Sequence, residues 1–101
     1  MNDRFLKTLG LARRAAKLTY GFDMVIGSAW KTKVIFLSED CAERTRKNIE
    51  AAAGEAKIPV LPLPWNKNEL GAAIGTKPVC IIGILDDGFA GSLLKNIEGG
   101  K

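Results

Sequence analysis

Glu39 and Asp40 stand side by side just after an apolar run, where a pair of carboxylates could bind a cation or pass protons. Capping of a following helix accounts for Asp40 equally well, and no further acid or glycine-rich phosphate loop stands beside the pair. The chain has no histidine, which removes the usual general base and the commonest zinc ligand together. Cys41 and Cys80 are far apart in sequence, and neither has a second cysteine at metal-site or redox-pair spacing. Both are expected to be reduced and packed. No catalysis, metal or cofactor is expected of these residues.

Basic side chains offer a different chemistry. Residues 1–33 carry Arg4, Lys7, Arg13, Arg14, Lys17, Lys31 and Lys33 against Asp3 and Asp23, while the rest of the chain holds eight basic and nine acidic groups. That uneven share of a net +4 charge points to one face that meets a polyanion, since neutralising phosphates releases counterions. A basic face that merely keeps the protein in solution is the plainer account. Trp30 and Trp65 are rings that either pack or stack on bases, and their types do not decide between the two.

The elements that must position these groups can be read from periodicity. Over Asp3–Lys17, Phe5, Leu9, Ala12 and Ala16 recur on one helical face, with Lys7 and Arg14 opposite and Arg13 and Lys17 on a flank. Gly21 permits a sharp turn, and Asp23 lies where a carboxylate suits the start of a short second helix running to about Trp30. Val34–Leu37 is a central strand covered on both faces. Asp40 with Glu43 has the spacing of a capping box for a helix that runs to about Lys57.

Ile58, Val60 and Leu61 form a short strand among prolines, which fit only at strand ends or at a sheet edge. Asn66 and Glu69 open a brief helix that stops at Gly75, and Val79–Leu85 is again a buried strand. Asp86 or Asp87 caps a last helix that buries Phe89, Leu93, Leu94 and Ile97, after which Gly99, Gly100 and Lys101 read as a frayed tail. Helix and strand alternate through one domain spanning residues 1–101, with the sheet between helical layers. No stretch is long and apolar enough to cross a bilayer, so a soluble, cytoplasmic protein is expected.

Several segments together carry a resemblance. Leu9-Gly10-Leu11-Ala12-Arg13-Arg14-Ala15-Ala16-Lys17-Leu18, then Gly21, Leu37-Ser38-Glu39-Asp40, Glu69-Leu70-Gly71-Ala72-Ala73-Ile74-Gly75 and Asp87-Gly88-Phe89-Ala90 resemble bacterial proteins of the YlxQ type. These are similar in turn to the kink-turn-binding ribosomal proteins typified by archaeal L-seven-Ae. The resemblance implies an α/β fold, a three-layer α/β/α sandwich on a mixed sheet of about four strands. It also implies binding to kink-turn RNA, a sharply bent duplex with tandem sheared G·A pairs. In that family the second helix opens toward the widened groove, and a loop before the last strand packs on a flipped-out nucleotide.

Carried over by position, the family's Gly-x-Asn-Glu-x-x-Lys falls on Gly21 to Gly27, where only the glycine is kept. Asp23, Met24 and Gly27 replace the asparagine, glutamate and lysine. Discrimination by polar base contacts, roughly 1–3 kcal/mol each, is therefore expected to be weakened while attraction to phosphate remains. The RNA-binding set expected from the resemblance is Gly21, Phe22, Asp23, Met24, Gly27, Lys31, Lys33 and Lys67, with the loop Thr76, Lys77, Pro78 and Val79. Structured RNA is the expected partner, ribosomal RNA among the candidates. A protein-interaction or self-pairing module, using Phe22, Met24 and Trp30 as an apolar surface, is the alternative.

Overall fold

Val34–Leu37 (β2) is buried along its whole length in a computed structural model that describes residues 3–99. Its side chains alternate between two faces as a strand's must. Val34 and Phe36 join Phe5, Leu9 and Ala12 of α1 (Asp3–Arg14), Leu70 and Ile74 of α4 (Lys67–Ile74), and Ala90 and Leu93 of α5 (Asp87–Gly99). Ile35 and Leu37 face the other way, against Val25 of α2 (Phe22–Gly27) and Ile49 and Ala53 of α3 (Glu43–Ala56). Each such large side chain taken out of water contributes roughly 1.5–3 kcal/mol, so both faces of the sheet must be covered. The three-layer α/β/α sandwich expected from the alternation is the architecture observed.

The sheet has four strands in the order β1-β4-β2-β3, with β1 at Leu18–Tyr20, β3 at Val60–Pro62 and β4 at Ile81–Ile84. β4 runs antiparallel to both β1 and β2, whereas β2 and β3 are parallel, so the sheet is mixed. β3 is an edge strand, which is why Pro62 can end it opposite Leu37 without breaking a central ladder. β1 is too short, at three residues, for alternation to reveal it in the sequence.

Several expectations about element ends are corrected. α1 stops at Arg14 and not near Lys17, because the chain turns through Ala16 at φ 59°. The Ala16 and Lys17 amides donate back to the Arg13 and Ala12 carbonyls at 3.0 and 2.8 Å, the paired bonds of a Schellman turn. Ala16, expected on the buried face, is exposed. The second helix is α-helical only to Gly27, and one 3-10 turn, Ala29–Lys31, completes it.

Asp40 does not cap α3, whose N-cap is Ala42 with no side-chain bond. Instead Asp40 Oδ1 accepts the Lys67 amide at 2.9 Å and so tethers the start of α4. The Asn66–Glu69 capping box is present, with both reciprocal bonds at 2.8 and 2.9 Å. Asp86, of the two aspartates considered, is the one that accepts an amide, from Phe89. α5 continues through Gly99, and the Gly100–Lys101 part of the supposed tail lies outside the described residues.

Trp65 is 6% exposed and stacks on Phe5 at 5.1 Å, while Phe5 meets Phe36 edge-on at 5.3 Å. Of the two tryptophans, this one belongs to the core. Trp30 is 83% exposed.

Candidate functional site

At the end of the sheet where β1 finishes and β4 begins, two segments distant in sequence meet. Gly21 leaves β1 with φ 89° and ψ 150°, a conformation that any side chain would strain, and its amide donates to the Ile81 carbonyl at 3.0 Å. That bond sets the opening of α2 beside the start of β4. From the other side, the Thr76 amide donates to the Gly71 carbonyl at 2.8 Å and the Val79 amide to the Lys67 carbonyl at 3.1 Å. The loop Thr76–Val79 is thereby laid along α4.

Gly71 makes this possible, since a Cβ there would run into the Lys77 carbonyl oxygen and stand 2.9 Å from Pro78 Cα. Thr76 Oγ1 closes the loop further by donating to the Lys77 carbonyl at 2.7 Å. Val79 turns inward and is buried, while Lys77 and Pro78 stay exposed.

Between the two segments runs an open groove of about 670 Å³. Gly21 and Phe22 line one part of it and Thr76, Lys77, Pro78 and Val79 another. Six lining residues were not anticipated as part of a site: Arg13, Tyr20, Thr45, Gly75, Cys80 and Ile81. Arg13 spans two elements, for its Nη1 donates to the Ile74 carbonyl at 2.9 Å and its guanidinium lies 5.4 Å from the Tyr20 ring centre. The basic flank of α1 was a visible signal for Arg13, but only folding puts that flank beside Gly75.

The groove's charged lining is Arg13 and Lys77, with no acid among the lining residues. A concave wall of cations over a low-dielectric core concentrates positive potential there.

The remaining expected residues are distributed differently. Asp23 and Met24 lie in the first turn of α2, whose N-cap is Gly21 and so has no side-chain cap, and Met24 is 62% exposed. Gly27 ends that helix. Lys67 opens α4 at the groove's end of the sheet, held by Asp40, but does not line the groove.

Lys33 sits at the opposite end of β2, where its amide donates to Ile84 and its ammonium lies 3.9 Å from Asp87. Five residue steps of extended chain, roughly 16 Å, separate it from Ser38 at the groove's end. Lys31 precedes it by two positions, its ammonium 5.4 Å from the centre of the exposed Trp30 ring. The fold therefore gathers Gly21, Phe22 and the 76–79 loop, and leaves Lys31 and Lys33 apart from them.

Asp40 and the thiols have structural occupations, whereas the Glu39 side chain is exposed. The nearby Ser38 hydroxyl and the Lys67 amide hold the Asp40 carboxyl below the usual carboxylate range. Ser38 Oγ makes no hydrogen bond of its own among the described residues, so it acts on Asp40 as a close dipole. Cys41 and Cys80, both half-buried and free, pack beside the α2–α3 face of the core. Burial pushes the Cys41 thiol up to about 11, and the neighbouring Cys80 adds to the rise. A thiol so protonated at neutral pH is a poor nucleophile. Among the described residues, no group of three or more His, Cys, Asp or Glu side chains is placed to hold a metal ion.

Comparison with known proteins matches residues 3–94 to the model of the ribosomal protein L7Ae/L30e/S12e/Gadd45 family. An Enterococcus faecium protein named RNA-binding protein YlxQ is 33% identical over 96 residues, covering 93% of this chain and 91% of its own. Among solved structures, a Bacillus halodurans C protein of unknown function superimposes with a TM-score of 0.85 at 32% identity, covering 94% of this chain and 97% of its own. The Giardia lamblia 15.5kD RNA binding protein shares the fold at a TM-score of 0.74 and 15% identity, covering 93% of this chain and 82% of its own.

Proposed function

Because the chain belongs to the ribosomal protein L7Ae/L30e/S12e/Gadd45 family, we propose that it is a non-catalytic RNA-binding protein that takes a kink-turn-like structured RNA in the groove between Gly21–Phe22 and Thr76–Val79. The observation that carries this reading is the meeting of those two segments around Arg13 and Lys77. They are the segments that a kink-turn binder of this family presents to the bent duplex. Relatives named as RNA-binding proteins over most of the chain support it.

Recognition here rests on shape and phosphate more than on base edges. Asp23, Met24 and Gly27 stand where the family pattern has asparagine, glutamate and lysine. At roughly 1–3 kcal/mol per good base contact, their loss lowers discrimination, and with Gly27 in the lysine's place the attraction to phosphate falls to the cations that remain, Arg13 and Lys77 on the groove. Ribosomal RNA, with its many bent helices, is the natural substrate class, and ribosome association would follow from it.

The test is fluorescence anisotropy of a labelled kink-turn RNA and of a straight duplex of equal length, each over a range of salt. Tighter binding to the kinked RNA, falling steeply with salt, is expected. No binding to either RNA at low salt would remove the proposal, and equal affinity for both would remove its kink-turn part.

A second reading has one specific observation behind it. Phe22, Met24 and Trp30 are all exposed on α2 and the 3-10 turn after it, at 38%, 62% and 83%. An apolar surface of this kind suits a protein partner or a second copy of the chain. Met24→Glu separates the readings, because it would abolish an apolar contact whose strength hardly depends on salt.

A further inference from the structure

We infer that the trough between α1 and α4 is a second seat for the sugar-phosphate backbone of the same RNA, one that runs on from the first groove; this rests on the RNA-binding reading above. The trough has a volume of about 620 Å³, and Lys7, Arg13, Arg14 and Leu11 of α1 line it opposite Ala72 and Gly75. Arg13 and Gly75 line both hollows, so the two form one continuous surface.

Charge names the occupant. Three cations and no acid line the trough. Glu69 borders an adjoining hollow with Lys7, but its Oε1 is engaged by the Asn66 amide at 2.9 Å. Lys7 and Arg14 make no hydrogen bond or ion pair among the described residues. Arg13 and Arg14 also suit the negative end of the α1 dipole. Lys7 lies too far from that end to gain from it, so the dipole leaves one of the three cations unexplained.

Spacing fits a nucleic-acid strand. Lys7 and Arg14, seven residues apart, fall within about 20° of one another around the helix and roughly 10.5 Å apart along it. One strand of a DNA duplex advances about 3.4 Å along the helix axis per phosphate, so two cations roughly 10.5 Å apart can each meet a different phosphate of one strand. Arg13 sits between the two hollows with one of a guanidinium's five N–H donors spent on Ile74. A floor of alanine and glycine lets a backbone approach closely.

Two labelled probes test this: a minimal kink-turn hairpin, and the same kink-turn with both stems lengthened. Lys7→Gln/Arg14→Gln is expected to weaken binding of the lengthened RNA roughly tenfold and to lower its salt slope by about 2, with less than about a twofold effect on the minimal RNA. The charge-reversed pair Lys7→Glu/Arg14→Glu should deepen the same loss, with the circular dichroism spectrum unchanged. A loss on the lengthened RNA no greater than on the minimal one overturns the inference. Lys77→Gln, in the first groove, should weaken both probes. If it does so while the α1 variants weaken neither, the second seat is wrong and the RNA-binding reading stands. Should the unmodified protein bind neither probe, both fall together.

Discussion

Gly71 shows how one missing side chain can shape a candidate binding groove. Its hydrogen leaves room for the Lys77 carbonyl and Pro78 Cα to rest on α4, and the Thr76 and Val79 amides then pin the loop to the Gly71 and Lys67 carbonyls. Gly71→Ala must either push the loop outward or strain the helix, at a cost of about 1–3 kcal/mol, as for other overpacked sites. Chemical denaturation should show that loss, and RNA affinity should fall with it because the groove wall has moved. An unchanged midpoint would mean that the loop has another way to lie.

The glycine was visible in the sequence as part of a family-like segment. Its purpose was not, because the carbonyl it accommodates comes from the following loop. Asp40 teaches the same lesson in reverse. Its spacing to Glu43 predicts a cap for α3, yet the carboxylate accepts from Lys67, a donor delivered by another helix.

At the scale of elements, the apolar periodicities of β2, α3, α4 and α5 led to their observed places, since each must present one face or both to the core. Ends were harder to read. α1 stops early because Ala16 adopts φ 59° and closes a Schellman turn, a place where glycine is usual. An alanine there carries strain of roughly 1–2 kcal/mol, against an entropic cost of roughly 0.5–1 kcal/mol for glycine. Ala16→Gly is therefore expected to stabilise the protein by about 0.5–1 kcal/mol, read as a higher melting temperature. Destabilisation would show that the turn is not strained in this way. β1 escaped detection since three residues carry no period, and it exists because β4 offers it a free edge.

Across the whole molecule, charge is sorted by the sheet's two ends and by the outer face of α1. The sequence locates a basic N-terminal third but treats Lys33 and Lys77 alike. Folding separates them, with Lys33 beside Asp87 at one end and Lys77 on the groove at the other. If RNA lies in the groove, Lys77→Gln should lower affinity and the salt slope by about 1, while Lys33→Gln changes neither appreciably. Equal losses from both would mean that the RNA wraps the sheet from end to end.

The residue order alone determined that this chain would form a sheet between two helical layers, because that rests on local propensity and on how often apolar groups recur. It also carried the family pattern and its departures at Asp23, Met24 and Gly27, which are matters of residue type. Only the tertiary structure decided that Gly21 would meet Thr76–Val79, that Arg13 would join two grooves and that Trp65, not Trp30, would be buried. Such pairings join residues far apart along the chain. They are set by strand order and by close packing across the sheet, neither of which leaves a periodic trace in a single sequence.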